Sequence, residues 1–246
     1  LPKNGSLPPE EYDFSDDRPR RSELFLDDGG VAIIEGLVRL YAAEVEEGTT
    51  RAGIYRPIIA SMFDAIFANG LTSSGRISRR IDPDGRGAYN VDRRRPSNHE
   101  AEVLASAVRF GRLSGNPTYV ENARGHASRL DLQEAGDVEL SEVAELADLL
   151  QSPDLARQVE RAIAQRIENP VRRHDEPTQA ARLTLLTQTA ISLTSGVRFH
   201  PWRRKLTWST SLSGDTLTVV AQDISGTEGS VYLPPDSPFT QFPFAV

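Results

Sequence analysis

Seven of the chain's 26 arginines crowd into the stretch GRISRRIDPDGRGAYNVDRRRP, as Arg76, Arg79, Arg80, Arg86, Arg93, Arg94 and Arg95. A guanidinium offers a planar fork of donors that matches phosphate oxygens two at a time, so such a cluster can grip a polyanion in a fixed register rather than merely attract it. The same window carries Tyr89 and three aspartates, Asp82, Asp84 and Asp92. It therefore has a second reading, as a solvated hairpin whose arginines and aspartates pair with one another.

The rest of the chain limits what that cluster can serve. Net charge over the 246 residues is −7, so the molecule as a whole repels nucleic acid, and binding must come from a local basic surface. There is no cysteine, which removes disulfides, thiolate metal sites and cysteine nucleophiles together. His99, His126, His174 and His200 lie far apart without metal-ligand spacing, so neither a metal nor another cofactor is expected. Walker, dinucleotide-glycine, nucleophile-elbow and zinc-protease motifs are all absent. No apolar run approaches the roughly 20 residues of a membrane span, and Leu1 has no signal-like segment behind it. The expectation is a soluble chain with no membrane partner, beginning at a processed or truncated end. Lysine occurs only at Lys3 and Lys205, a bias that carries no functional weight.

The elements that must position the arginines are mainly helical. VAIIEGLVRLYAAEVEE (31–47) sets Ile34, Leu37, Val38 and Tyr41 on one face, closed by Gly48, and IYRPIIASMFDAIFANG (54–70) follows with Pro57 in its first turn and Gly70 past its end. After the arginine-rich loop, Asn98 is placed to cap HEAEVLASAVRFGRL, and the Gly-Asn-Pro break at 115–117 starts another helix. SEVAELADLLQ, SPDLARQVERAIAQRIE and TQAARLTLLTQTAISLTSG bring the count to about seven. From residue 197 the pattern alternates and turns β-branched, with Ser213-Gly214-Asp215 as the turn of a hairpin. The fold class expected is mainly α: a bundle-like core over 31–196 with a binding loop at 71–97, a small β-hairpin within 197–246, and extended arms at both ends. The first arm, 1–30, shows neither helical nor strand periodicity, and the second combines prolines with phenylalanines. Arms of that kind suit docking either on their own domain or on neighbouring copies, the latter with Phe14, Phe25, Phe239, Phe242 and Phe244 as anchors.

Three patches in order resemble the coat proteins of flexuous filamentous plant RNA viruses, the potyvirus group above all. EGLVRLYAAEVEEGTT is similar to the family's helix ending in Gly-Thr-Ser. RPIIASMFDAIFA resembles its Arg-x-Ile-Met-Ala helix, with Arg56, Ile58, Ala60, Asp64 and Ala68 in register. The segment from Arg79 to Asp92 resembles its stretch ending in Tyr-Ala-Phe-Asp, with Tyr89 and Asp92 at the matching interval. The resemblance covers about residues 31–125. It implies that Thr50, Arg56 and Asp92 form a pocket for a single-stranded RNA backbone, ringed by the other arginines and Tyr89. It also implies helical self-assembly through the arms and residence in a virion or host cytoplasm. The departures are a shortened Thr50-to-Arg56 loop, threonine in place of serine, and Val91 where the family has an aromatic.

A second resemblance points elsewhere. PSNHEAEVLASAVRFGRLSGNPTYVENA is similar to a helical hairpin of the α/α toroid carbohydrate-active enzymes. That implies a lyase or hydrolase with His99 as proton-transfer base and Asn98 or Glu100 set against a sugar carboxylate. Seven helices fall short of six hairpins, and two tryptophans are few for stacking sugars.

Overall fold

The computed structural model describes residues 7–9, 11–27, 29–83, 89–133 and 135–168, together with the strand segments 198–199, 207–213, 216–222 and 231–232. Among these residues the protein is mainly helical, with six helices and small antiparallel sheets. The chain divides into two compact units, 1–131 and 132–246.

In the first unit, α1 (Gly29–Glu46) and α2 (Arg51–Asn69) form one helical pair, and α3 (Glu100–Ser114) and α4 (Pro117–Ala127) another. α1 buries Ile34, Val38 and Tyr41, spaced at i, i+4 and i+7, as its apolar pattern requires. α2 contributes Ile59, Met62, Phe63 and Ile66. At the centre, the Phe110 ring of α3 lies 5.4 Å from Tyr41, 5.7 Å from Phe63 and 5.2 Å from Tyr119 of α4. Three other helices are thus joined through one side chain. Between α3 and α4 the Gly-Asn-Pro break acts residue by residue. Gly115 adopts φ +70° to end α3, Asn116 accepts from the Thr118 N–H at 3.1 Å, and Pro117 starts α4 where its missing N–H costs nothing.

Three features differ from expectation. Residues 11–25 carry strands that no strand periodicity marked: β1 (Glu11–Asp13) pairs with β2 (Arg18–Arg21), and β3 (Leu24–Phe25) joins a three-stranded sheet. In that sheet β4 (Arg80–Pro83) lies between β3 and β5 (Tyr89–Val91), with Ile81 opposite both Leu24 and Val91. Second, α2 begins at Arg51, which puts Pro57 in the second turn rather than the first, where it leaves the Gly53 carbonyl without its helical donor. Third, α3 is preceded by His99, not Asn98, as its N-cap.

In the second unit, α5 (Asp137–Leu149) and α6 (Pro153–Glu168) follow, with the Leu155 N–H donating to Ser152 Oγ at 3.3 Å at the head of α6. β7 (Thr207–Ser213) and β8 (Thr216–Gln222) pair antiparallel from Thr207 opposite Gln222 to Ser213 opposite Thr216, and β6 (Arg198–Phe199) pairs with β9 (Val231–Tyr232). The helix expected at 178–196 and the anchors Phe239, Phe242 and Phe244 lie outside the described residues.

Candidate nucleic-acid interface

The arginine-rich stretch is folded over the end of α2. The Ser78 N–H donates to the Gly70 carbonyl, just past the helix, at 2.8 Å. The segment 92–97 after β5 is then fastened to the chain before β4 at four points. Ser73 N–H donates to Arg93 O at 2.9 Å, Arg79 N–H to Arg95 O at 3.1 Å, Ser97 N–H to Ile77 O at 2.9 Å, and Ser78 Oγ to Asp92 O at 2.9 Å. Ser97 Oγ adds a bond to Leu26 O at 2.6 Å. The Asp92, Arg93 and Arg95 carbonyls and the Ser97 N–H are therefore paired, and these bonds set the path of the run.

On that frame the arginines divide into two sets. Arg76 turns inward, its Nε 2.8 Å from the fully buried Glu100 carboxylate, which also accepts from the Ile77 N–H at 2.7 Å. Arg79 lies 4.9 Å from the centre of the Phe25 ring and 3.4 Å from Asp27. Arg80 reaches Glu23 at 3.2 Å and Asp82 at 3.7 Å. For these three the hairpin reading, in which arginines meet carboxylates, describes the geometry. Arg93, Arg94 and Arg95 are all exposed, and among the described residues none has an ion pair or a side-chain hydrogen bond. Asp92 forms no ion pair with them; its Oδ1 accepts from the Arg94 backbone N–H at 3.1 Å. Tyr89 is half-buried on β5, opposite Pro83, and Arg86 lies outside the described residues.

Thr50, Arg56 and Asp92 are not brought together as one pocket. Asp92 is tied through Ser78 to the Gly70 end of α2, whereas Arg56 and Thr50 are at the other end. With a helical rise of about 1.5 Å per residue, Arg56 is about 20 Å and Thr50 about 30 Å from Gly70 along the axis. Arg56 is exposed and unpaired among the described residues. Thr50 caps α2 by position only, without a side-chain hydrogen bond. Asp64, another position of the resemblance, accepts from the Tyr119 hydroxyl at 3.0 Å and so belongs to the helix packing.

The residues of the enzyme reading fall at the head of α3. His99 Nδ1 is 3.2 Å from Glu102, the Asn98 N–H donates to Asp27 at 3.2 Å, and Glu100 is buried against Arg76. Glu100 is thus engaged in holding the sheet. The aromatic anchors of the first arm also part company: Phe25 lies beneath Arg79, while Phe14, at the turn between β1 and β2, is 89% exposed.

No family model, curated protein or solved structure matches this chain. Among the described residues no helix is long and apolar enough to cross a membrane.

What the sequence left out was the sorting of the arginines. Glu23 and Asp27 lie on a segment expected to be an arm, and Glu100 follows the loop. The signal available was the density of Asp and Glu on both flanks of the cluster, enough to neutralise some arginines but not to say which.

Proposed function

We propose that the chain binds the phosphate backbone of single-stranded RNA through Arg93, Arg94 and Arg95. The observation that carries this reading is the contrast within one loop: Arg76, Arg79 and Arg80 meet carboxylates, and the three consecutive arginines that follow β5 are exposed and, among the described residues, without partners. In an acidic chain, cations left unneutralised are where an external anion gains most. Each guanidinium offers phosphate a planar pair of donors, and phosphate contacts carry no base information, so binding is independent of sequence.

The coat-protein reading adds self-assembly along the RNA. In one chain Arg56 and the 93–95 run are too far apart to clamp the same phosphate, so under that reading they contact different nucleotides. The exposed Phe14 supplies one arm contact to a neighbouring copy.

The experiment is binding of a fluorescent oligouridylate by the full chain at several salt concentrations, with electron microscopy of the same samples. Salt-sensitive binding supports backbone recognition, and flexible filaments formed with RNA support the coat assignment. Absence of binding at low salt, or turnover of a uronic-acid polysaccharide that is lost in His99→Ala, would replace the reading with the enzyme one.

A further inference from the structure

Behind the arginine run, the turn Thr72–Arg76 is closed on itself by Thr72 N–H to Arg76 O at 2.8 Å and Gly75 N–H to Thr72 O at 3.0 Å. Outward it is tied by the Arg76–Glu100 ion pair and by the Ser73 N–H, which donates to Arg93 O. Its other anchor is the Gly75 carbonyl, where His126 Nδ1 at 2.9 Å and the Arg129 guanidinium at 3.1 Å converge. Gly75 has φ +76°, a left-handed conformation that aims this carbonyl at the end of α4. The His126 ring is half-buried and stacks on Phe67 of α2, with centroids 5.4 Å apart and planes inclined by 13°.

We propose that the His126–Gly75 contact is a pH-sensitive latch. With His126 neutral it holds the Gly75 side of the Thr72–Arg76 turn, and through Ser73 the Arg93 end of the arginine run, in the RNA-binding arrangement. On acidification it opens. The RNA half of this statement rests on the function proposed above.

The neutral ring donates its Nδ1 proton to the Gly75 carbonyl. A second proton, taken up at Nε2, leaves the Nδ1–H on the Gly75 carbonyl but makes the ring a cation beside the Arg129 guanidinium that shares this oxygen, and the two charges repel. Among the described residues the groups facing the ring are the uncharged Phe67 from α2, the Gly75 carbonyl from the turn and the Arg129 guanidinium from the chain after α4, and no carboxylate among them compensates the new charge. Burial pushes the imidazole below its ordinary range and Arg129 pushes it further, while the bond to Gly75 opposes them. The Phe67 face returns part of the cost through attraction for the imidazolium, though a half-buried ring recovers little hydration. With the closed-state value lowered, the open latch binds more protons. Opening is therefore favoured as pH falls through about 6.5, the ordinary histidine value, and it saturates below the closed-state value.

The test uses the full chain and two independent readouts. By NMR, His126 is expected to titrate below the ordinary histidine range. The protection of the Ser73 amide against hydrogen exchange should fall about threefold or more between about pH 7.5 and 5.5. In His126→Gln, which keeps a neutral donor, that fall should disappear. Affinity for oligouridylate should drop over the same interval in the natural chain and not in His126→Gln. An ordinary or raised His126 titration, or Ser73 protection that does not change with pH, overturns the latch even if the variant misfolds, since both are read on the natural chain. PH-dependent protection without any RNA binding leaves the latch standing and removes the RNA reading instead.

Discussion

Arg76 and Glu100, 24 residues apart in sequence, form an ion pair at 2.8 Å in which the carboxylate is fully buried. The second Glu100 oxygen accepts from the Ile77 N–H, so one side chain fixes both the start of the arginine-rich stretch and the head of α3. The loop is held in place by a carboxylate rather than left as a tether.

Removing that carboxylate should be costly. Glu100→Ala strands a largely buried guanidinium and a buried backbone N–H, and is expected to destabilise the protein by about 3–5 kcal/mol, read as a shift in the urea unfolding midpoint. Glu100→Gln retains an acceptor for Ile77 and should cost less. Equal stability of Glu100→Ala and the natural chain would contradict the assignment.

The Gly75 turn should resist a side chain. At φ +76° an added Cβ is strained, and it falls 2.6 Å from Arg129 Nη1, a flexible group that can withdraw. Gly75→Ala is expected to cost about 1–2 kcal/mol, mostly from the backbone, measured by the same unfolding experiment.

The hairpin of β1 and β2 carries its own pH dependence. Ser15 and Arg20, through hydrogen bonds to the Asp13 carboxylate, hold it down to about 2. A depressed carboxylate stabilises the fold above its unfolded value, about 3.9, and that contribution is lost as pH falls towards 2. The Asp13 carboxyl carbon should titrate near 2 by NMR, and Ser15→Ala should raise the midpoint. An Asp13 midpoint near 4 in the natural chain would show that these bonds do not form in solution.

Tyr119 should ionise late. Burial, then the hydrogen bond to Asp64 and its charge, push the phenol up to about 12. The unfolded chain loses this proton near pH 10, so stability falls between about 10 and 12. Absorbance of phenolate against pH should show one late step that Tyr119→Phe removes. Replacing the hydroxyl should also cost about 1 kcal/mol.

Local spacing made most of the helices legible. Ile34, Val38 and Tyr41 bury the face their interval predicts, and Gly115-Asn116-Pro117 ends one helix and begins the next as those residue types dictate. The N-terminal strands were not legible. β3 has two residues, and its meaning comes from pairing Leu24 with Ile81, a partner far along the chain. β1 and β2 carry charges where a strand pattern would show apolar alternation, held by cross-strand contacts such as Arg20 with Asp13. The site was half-legible for the same reason. Guanidinium density is a property of the sequence, but which guanidinium meets a carboxylate depends on where Glu23, Asp27 and Glu100 fold. Motif order alone grouped Thr50, Arg56 and Asp92, and the length of α2 from Arg56 to its Gly70 end, where Asp92 is tied through Ser78, keeps them apart.

The most direct test of the account is the salt dependence of oligouridylate binding by the natural chain and by Arg93→Ala/Arg94→Ala/Arg95→Ala. Three exposed arginines predict that the triple variant binds at least about tenfold more weakly at low salt, and that the slope of log affinity against log salt is shallower by about 2. Unchanged affinity and slope in a variant as stable as the natural chain would contradict the claim that this run is the binding surface.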